Sequence, residues 1–143
     1  MASQTAGGNE VSATFRFLGD ALDPDAITAS MALKPTEAHT KGEAVPNHPD
    51  RQYPTGYWGL ESVLAPWRSL DEHLKSLLET LEAREAPIET IRRSGCSTSF
   101  YCACFVKTVV GSVVQLDPQL LGSIAALGAR LELHIYCDAD TAE

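Results

Sequence analysis

The sequence has few basic residues and no long hydrophobic run. Lys and Arg number 11 against 19 Asp and Glu, which gives a formal charge of −8. A surface of this sign repels phosphate backbones and anionic lipid, because both are bound through Lys and Arg. The longest apolar stretch, residues 100–110, is interrupted by Lys107 and is too short to span a bilayer. These absences predict no nucleic-acid binding and no membrane association.

Motifs that mark catalysis or cofactor binding are also missing. The chain contains no GxSxG, P-loop, GxGxxG or HExxH pattern. His73 and His134 could each act as a base, but each is more simply explained as a packing or surface residue. The sequence therefore predicts no catalytic residue, no metal and no cofactor, and it favours a protein that is not an enzyme.

The four cysteines follow no CxxC spacing, and the opening MASQTAGGNE has no apolar core of a signal peptide. In a chain of this length, reduced thiols and a cytoplasmic location are therefore expected. Cys102 and Cys104 alternate in a predicted strand, so both point to one face about 7 Å apart. Cysteines in such a place usually act as small buried apolar side chains rather than as a metal or redox site.

Local patterns predict a series of strands and three helices. Alternating apolar residues or aromatic runs favour strands at residues 11–18, 56–63, 88–93, 99–109 and 131–137. Asp23-Pro24 and Asp117-Pro118 suit helix starts, because Asp caps free amides and Pro needs no N–H there. Ser69 and Glu72 match a capping box. Residues 34–55, with four prolines, are predicted to be an irregular loop.

The tripeptide Leu-Asp-Pro occurs twice between a predicted strand and a predicted helix. This repetition predicts an α+β fold, an elaborated ferredoxin-like sandwich with a mostly antiparallel sheet, about three helices on one face and two βαβ-like units. We expect one domain at residues 11–138, between a disordered N-terminal tail at residues 1–10 and a C-terminal tail at residues 139–143.

Several stretches resemble a known family. They are ATFRFLGDALDPDAITASMALKPTEAHTKGE, GYWGLES, the leucine helix after Ser69 and LDPQLLGSIAALGARLELHIYCD. In this order they resemble a bacterial family known as domain of unknown function 4279, over residues 11–137. The resemblance implies a small α+β domain. It implies no established activity, substrate or catalytic residue, so function has to be argued from the residues themselves.

Residues 34–61 hold the candidates for a binding site. Aromatic rings beside charged groups are typical of binding pockets and interface anchors. The predicted binding residues are His39, Lys41, Arg51, Tyr57, Trp58 and Glu61. Adjacent strand residues face opposite ways, so at most one of Tyr57 and Trp58 lies in the core, and a core Trp58 under a covering loop is the simpler alternative. His39, His48 and Asp50 offer metal ligands, but their spacing matches no usual zinc pattern.

The missing motifs, the acidic surface and the aromatic loop favour a non-enzymatic protein-interaction domain that uses this loop and the exposed side of the sheet. Its protein partner is unknown and is expected to be basic where charge steers binding, although acidity also serves solubility alone. One specific form is an immunity or antitoxin-type protein that neutralises a basic toxin. The alternatives are a small-molecule-binding sensor domain, or, ranked last, an enzyme acting at Lys34–Glu61. A homodimer is left open.

Overall fold

One five-stranded sheet and four helices make up the part of the chain that the computed structural model describes, residues 9–107 and 113–137. The strands are β1 (Glu10–Gly19), β2 (Glu37–His39), β3 (Ala44–Val45), β4 (His48–Gln52), β5 (Gly56–Glu61), β6 (Ser97–Val106) and β7 (Arg130–Cys137). The helices are α1 (Pro24–Met31), α2 (Leu70–Leu81), α3 (Glu85–Arg93) and α4 (Pro118–Ala126). The predicted tail residues 1–8 and 139–143, and the last two residues of the strand predicted at 99–109, lie outside the described residues.

The sheet has the strand order β2-β5-β1-β6-β7, and β3 pairs with β4 in a separate hairpin. The pairs β1–β5, β1–β6 and β2–β5 are antiparallel, whereas β6–β7 is parallel. Because β1 and β2 both run antiparallel to β5, α1 connects two parallel strands with β5 between them, and α4 connects two adjacent ones. The α+β class and the mostly antiparallel sheet are confirmed. The ferredoxin-like assignment is not confirmed, and the described residues form four helices where about three were expected.

The side chains on one face of the sheet pack with residues from all four helices in a single core. Phe15, Phe17, Trp58 and Phe100 lie at its centre and are completely buried. Their rings contact one another in tilted or edge-on pairs with centroids 5.1–5.8 Å apart, the separations that aromatic pairs prefer. Because the helices gather on this face, the opposite face of the sheet, here called the outer face, carries no helix of the described residues.

Two helix starts form as their sequences predict. The Asp23 carboxylate accepts hydrogen bonds from the amides of Asp25 and Ala26 at the start of α1, with Pro24 in the first turn. Ser69 and Glu72 form the reciprocal capping box of α2. This helix has 12 residues, and no helix of the described residues is long and apolar enough to cross a membrane.

The strand predicted at residues 88–93 is wrong, because residues 85–93 form α3. Ile88 and Ile91 are both buried, and a spacing of three places them on one face of a helix rather than on one face of a strand. Pro87 lies in the first turn, where a helix needs no N–H donor. An acidic first turn and two arginines in the last turn complement the helix macrodipole.

Residues 34–55, predicted to be irregular, contain β2 and the β3–β4 hairpin. Pro46 and Asn47 form the hairpin turn, and the φ angle of Asn47 is 66°. Proline followed by asparagine with positive φ is the sequence signature of a type II turn. The prolines therefore shape a hairpin in this segment rather than preventing regular structure.

The cysteines differ sharply in exposure, which leads to a prediction about their reactivity. Cys96, Cys102 and Cys104 are buried, and Cys137 is exposed. Burial raises the pKa of the Cys102 thiol to about 12, so about one molecule in ten thousand carries the reactive thiolate at pH 8. We expect a thiol reagent at pH 8 to label Cys137 quickly and the other three only after denaturation. In the variant Cys137→Ser, the fast labelling should disappear, and rapid labelling of Cys102 in the folded protein would contradict this assignment.

Candidate functional site

The outer face of the sheet carries polar and aromatic side chains that alternate with the core residues along each strand. Cross-strand pairing places Arg16 beside Gly59 on one side and Ser99 on the other, and places Tyr101 beside Glu132. The residues of the outer face include Arg16, Glu37, His39, Tyr57, Glu61, Ser99, Tyr101, Glu132, His134 and Tyr136. They come from all five strands, so the sheet brings together residues far apart in the sequence.

Arg16 lies at the centre of the outer face and is held by several contacts. Its Nη2 donates to Glu132 at 2.7 Å, and its Nε donates to Ser99 Oγ at 3.2 Å. Its guanidinium carbon lies 4.6 Å from the centre of the Tyr101 ring, a cation–π contact. The hydrogen bond from Arg16 lowers the pKa of Glu132. Arg16 is therefore fixed in position, and 18% of its side chain remains exposed to solvent.

Tyr57 lies flat across the outer face because residue 59 is glycine. A Cβ atom at Gly59 would lie 2.5 Å from the Tyr57 hydroxyl oxygen, far inside normal contact distance. Beside this ring is a shallow cavity of about 260 Å³, which is lined by Arg16, Glu37, Glu61 and Tyr101 among others. Burial, followed by the charge of Glu37, raises the pKa of Tyr57. The Tyr57 hydroxyl thus stays protonated and can donate a hydrogen bond.

Aromatic rings continue from this cavity toward β7. Tyr101 and His134 have ring centroids 4.5 Å apart, and Phe105 stacks on Tyr136 at 5.0 Å. Phe105 and Tyr136 are 42% and 46% exposed, respectively. A hydrogen bond with Tyr136 is the main cause of a raised pKa for Tyr101, so the two hydroxyls are linked. The outer face therefore presents a band of aromatic rings that extends from the cavity to β7.

The β3–β4 hairpin stands beside the outer face at its β2 end. The His39 ring stacks on Tyr53 at 3.4 Å and on Tyr57 at 5.4 Å. Tyr53 directly follows β4 and His39 lies in β2, so the stacking of their rings holds the hairpin against the sheet. The Lys41 ammonium pairs with Asp20 at 3.2 Å, and the Thr55 hydroxyl donates to the same carboxylate at 3.0 Å.

A family model matches residues 9–138, and its description is domain of unknown function, DUF4279. The chain belongs to the DUF4279 family. No curated protein and no solved structure matches the chain. The outer face and the hairpin thus lie within the family domain.

The structure distributes the predicted binding residues of this DUF4279 domain unequally. His39, Tyr57 and Glu61 lie on the outer face. Lys41 is exposed and bound to Asp20, and Arg51 is exposed on β4, which belongs to the separate hairpin. Trp58 points to the helices and is 0% exposed, and its Nε1 donates to Thr28 Oγ1 at 3.0 Å. Trp58 is therefore a core residue that a partner cannot reach.

Sequence reasoning missed the centre of the site. Arg16, Tyr101, Glu132 and His134 all lie in strands that the sequence predicts, at the positions that alternate with apolar residues. Their alternation indicates an exposed face. Nothing in the sequence shows that β1 pairs with β6 or that β6 pairs with β7, and this register is what joins them.

The metal interpretation finds no support in the described residues, which contain no group of three His, Cys, Asp or Glu side chains able to hold an ion. His39 is stacked between two tyrosines. His48 and Asp50 are exposed on the hairpin strand β4. Cys102 and Cys104 both point into the core.

Proposed function

We propose that this chain is a non-enzymatic protein-interaction domain and that its outer face binds the partner. The observation that carries the proposal is the immobilised Arg16 among exposed rings on a sheet face without a helical layer. Tyrosine and arginine are enriched among residues that dominate binding energy at interfaces. Because Arg16 is already ordered by Glu132 and Ser99, little side-chain entropy is lost when a partner binds.

The charge of the outer face indicates the kind of partner. Glu37 and Glu61 line the cavity beside Arg16, and Glu132 pairs with Arg16. These three carboxylates outnumber the two arginines of the outer face, Arg16 and Arg130, and the whole chain carries a formal charge of −8. A basic surface would be attracted to this face and would bind with a faster association rate at low salt. An immunity or antitoxin-type role against a basic toxin is one specific form of this proposal.

A small-molecule sensor is the second candidate, and the cavity beside Tyr57 is the observation in its favour. Its volume of about 260 Å³ is below the range of about 300–1,000 Å³ usual for ligand pockets. The cavity is shallow and lies within a broad band of aromatic rings. It is therefore better suited to one anchoring side chain of a protein than to a metabolite that the protein would enclose.

Native mass spectrometry of the protein isolated from its own host tests the class of partner. A retained polypeptide is the expected result and identifies the partner. A retained mass of a few hundred daltons would favour the sensor instead. A bare chain would contradict a stable complex.

Substitutions on the outer face test the site once that partner is in hand. We expect Tyr101→Ala and Arg16→Gln each to weaken binding by at least about thirtyfold, as hot-spot residues do. Arg93→Gln, the same change at an exposed arginine of α3, is the matched control and should leave the affinity unchanged. Equal affinity of all three variants in a titration would rule out the outer face.

The double variant Glu37→Lys/Glu61→Lys tests the charge argument separately. It should slow association at low salt, with the difference shrinking as salt is added. An unchanged association rate would remove the case for a basic partner while leaving the outer face as the binding site.

A further inference from the structure

A groove of about 420 Å³ runs between α2 and α4 on the helical layer, on the side of the sheet opposite to the outer face. Leu78, Leu120 and Leu127 lie along its floor, and the small residues Ser123 and Ala126 line the α4 side. The lining positions on each helix span about seven residues, or about 10 Å. The groove thus has the length of two helical turns.

Acidic residues form the rim of this groove. Glu79, Glu82, Glu85 and Asp117 line it, together with one cation, Lys75. The Lys75 ammonium is already shared between Asp71 at 3.1 Å and Asp117 at 3.9 Å. Among the described residues, which include every Lys and Arg of the chain, none forms an ion pair with the three glutamates. The rim therefore has a negative charge that this chain does not neutralise.

Helix stability does not explain two of these carboxylates. Glu79 lies in the last turn of α2, Glu82 is its C-cap, and the last turn has no basic residue. The C-terminal end of a helix carries partial negative charge, so carboxylates there are unfavourable and lysines favourable. A cationic partner lying against Glu79 and Glu82 would offset this unfavourable interaction with the helix end.

The segments of this sequence outside the described residues contain no basic stretch, and residues 108–112 contain no Lys or Arg. Residues 1–8 contain no Lys or Arg, and residues 138–143 contain three acidic residues and no basic one. A second copy of the chain docked groove to groove would bring like charges together. Charge complementarity therefore favours a different protein.

We propose that the α2–α4 groove binds a basic amphipathic helix of a partner protein. Its apolar side chains, spaced at i, i+3 or i+4, and i+7, enter the leucine floor, and its lysines or arginines pair with Glu79, Glu82 and Glu85. This site is separate from the outer face, and it stands whether or not the outer face binds a partner.

The probe is a synthetic helical peptide of about 14 residues, with leucines on one face and lysines on the other. A scrambled peptide of the same composition is the peptide control. We expect the amphipathic peptide to bind in calorimetry and to shift the amide resonances of Leu78, Ser123 and Ala126. The variant Glu79→Lys/Glu82→Lys should weaken its binding at least tenfold. Ser123→Phe, which fills the groove without changing charge, should weaken it by a similar factor.

The matched protein control is Glu37→Lys/Glu61→Lys, the same charge change on the outer face, which should bind the peptide with at most a twofold loss. Circular dichroism should show that each variant is folded, and Glu79→Lys/Glu82→Lys should melt no lower than the parent.

Equal binding of the scrambled peptide, or an equal loss in the outer face control, would reduce the effect to general charge attraction and overturn the proposal. So would an absence of binding at millimolar peptide. If a simple alkylammonium shifts the amide resonances of the groove and the peptide does not, the groove binds a small amphiphile instead. If the protein forms a dimer that Ser123→Phe abolishes, the groove binds a second copy of the chain.

Discussion

Replacing Trp58 with alanine is expected to lower the free energy of unfolding by about 3–5 kcal/mol, the usual cost of removing a large buried aromatic side chain. Trp58 is completely buried, and its ring lies 5.8 Å from that of Phe17. Its Nε1 also donates to Thr28 Oγ1 on α1. The substitution therefore opens a cavity between β5 and α1 and removes the only hydrogen bond that the indole can donate.

Two further variants separate these contributions. Thr28→Val keeps the volume but leaves the indole N–H without its partner, which should cost about 1–3 kcal/mol. Tyr57→Ala, the adjacent residue on the opposite face, is the matched control and should cost clearly less than Trp58→Ala because Tyr57 is partly exposed. Urea denaturation followed by circular dichroism gives all three values. A loss below about 1 kcal/mol for Trp58→Ala would show that Trp58 is not a core residue.

The sequence predicted those parts of the fold that local patterns determine. The alternation in β1 and the capping box of α2 are contained within about ten residues, and both are found in the structure. The strand predicted at residues 131–137 is also present as β7, but its burial does not alternate, because Leu133 and Ile135 are exposed. The segment at 88–93 is a helix and not the predicted strand, because Pro87 is suited to the first turn of α3 and leaves the hydrogen bonds of the helix intact. The four prolines of residues 34–55 predict a loop, whereas Pro46-Asn47 forms a tight turn with a strand on either side.

The candidate site depended on information that a single sequence does not contain. Tyr57 and Glu61 are on the outer face because their strand alternates, and this was predictable. Arg16 meets Glu132 across 116 positions of the chain, and that contact requires both the β1–β6 and the β6–β7 register. Gly59 belongs to the site because the Tyr57 ring lies over it, and the sequence does not contain this contact.

His73 is expected to make stability depend on pH between about 7.5 and 5.5. It is 1% exposed, its Nε2 lies 3.1 Å from the Ala65 carbonyl oxygen, and its Nδ1 lies 2.9 Å from Ser62 Oγ. A carbonyl only accepts, so Nε2 carries the proton and Nδ1 accepts from the Ser62 hydroxyl. A neutral ring satisfies both contacts, and it holds the segment between β5 and α2 against the helix.

Burial lowers the pKa of His73, and this effect outweighs the opposing contribution of the hydrogen bond to Ala65 and the attraction of Glu72. In the unfolded chain the pKa of histidine is about 6.5. Around and between these two values the unfolded chain binds more protons than the folded protein. The contribution of His73 to stability is therefore complete only about one pH unit above 6.5 and is lost as the pH falls toward the folded-state pKa. The carboxylates Glu89 and Glu132, whose pKa values are lowered by arginine, lose their contribution only at more acidic pH.

Urea midpoints measured at pH 7.5, 6.5 and 5.5 should therefore decrease for the parent protein, and His73→Gln, which cannot titrate, should remove this decrease. His73→Ala also leaves a cavity and removes both side-chain hydrogen bonds of the ring, although the Ala65 carbonyl still accepts from the Arg68 amide, so it should cost about 2–4 kcal/mol at pH 7.5. The matched control is His134→Gln, because His134 is exposed on β7, and it should keep the parent's pH dependence. A parent whose stability is flat over this range, or a decrease that His134→Gln abolishes, would show that His73 is not the titrating group. If the decrease belongs to His73, acidification loosens the segment that joins the edge of the outer face to the first turn of α2.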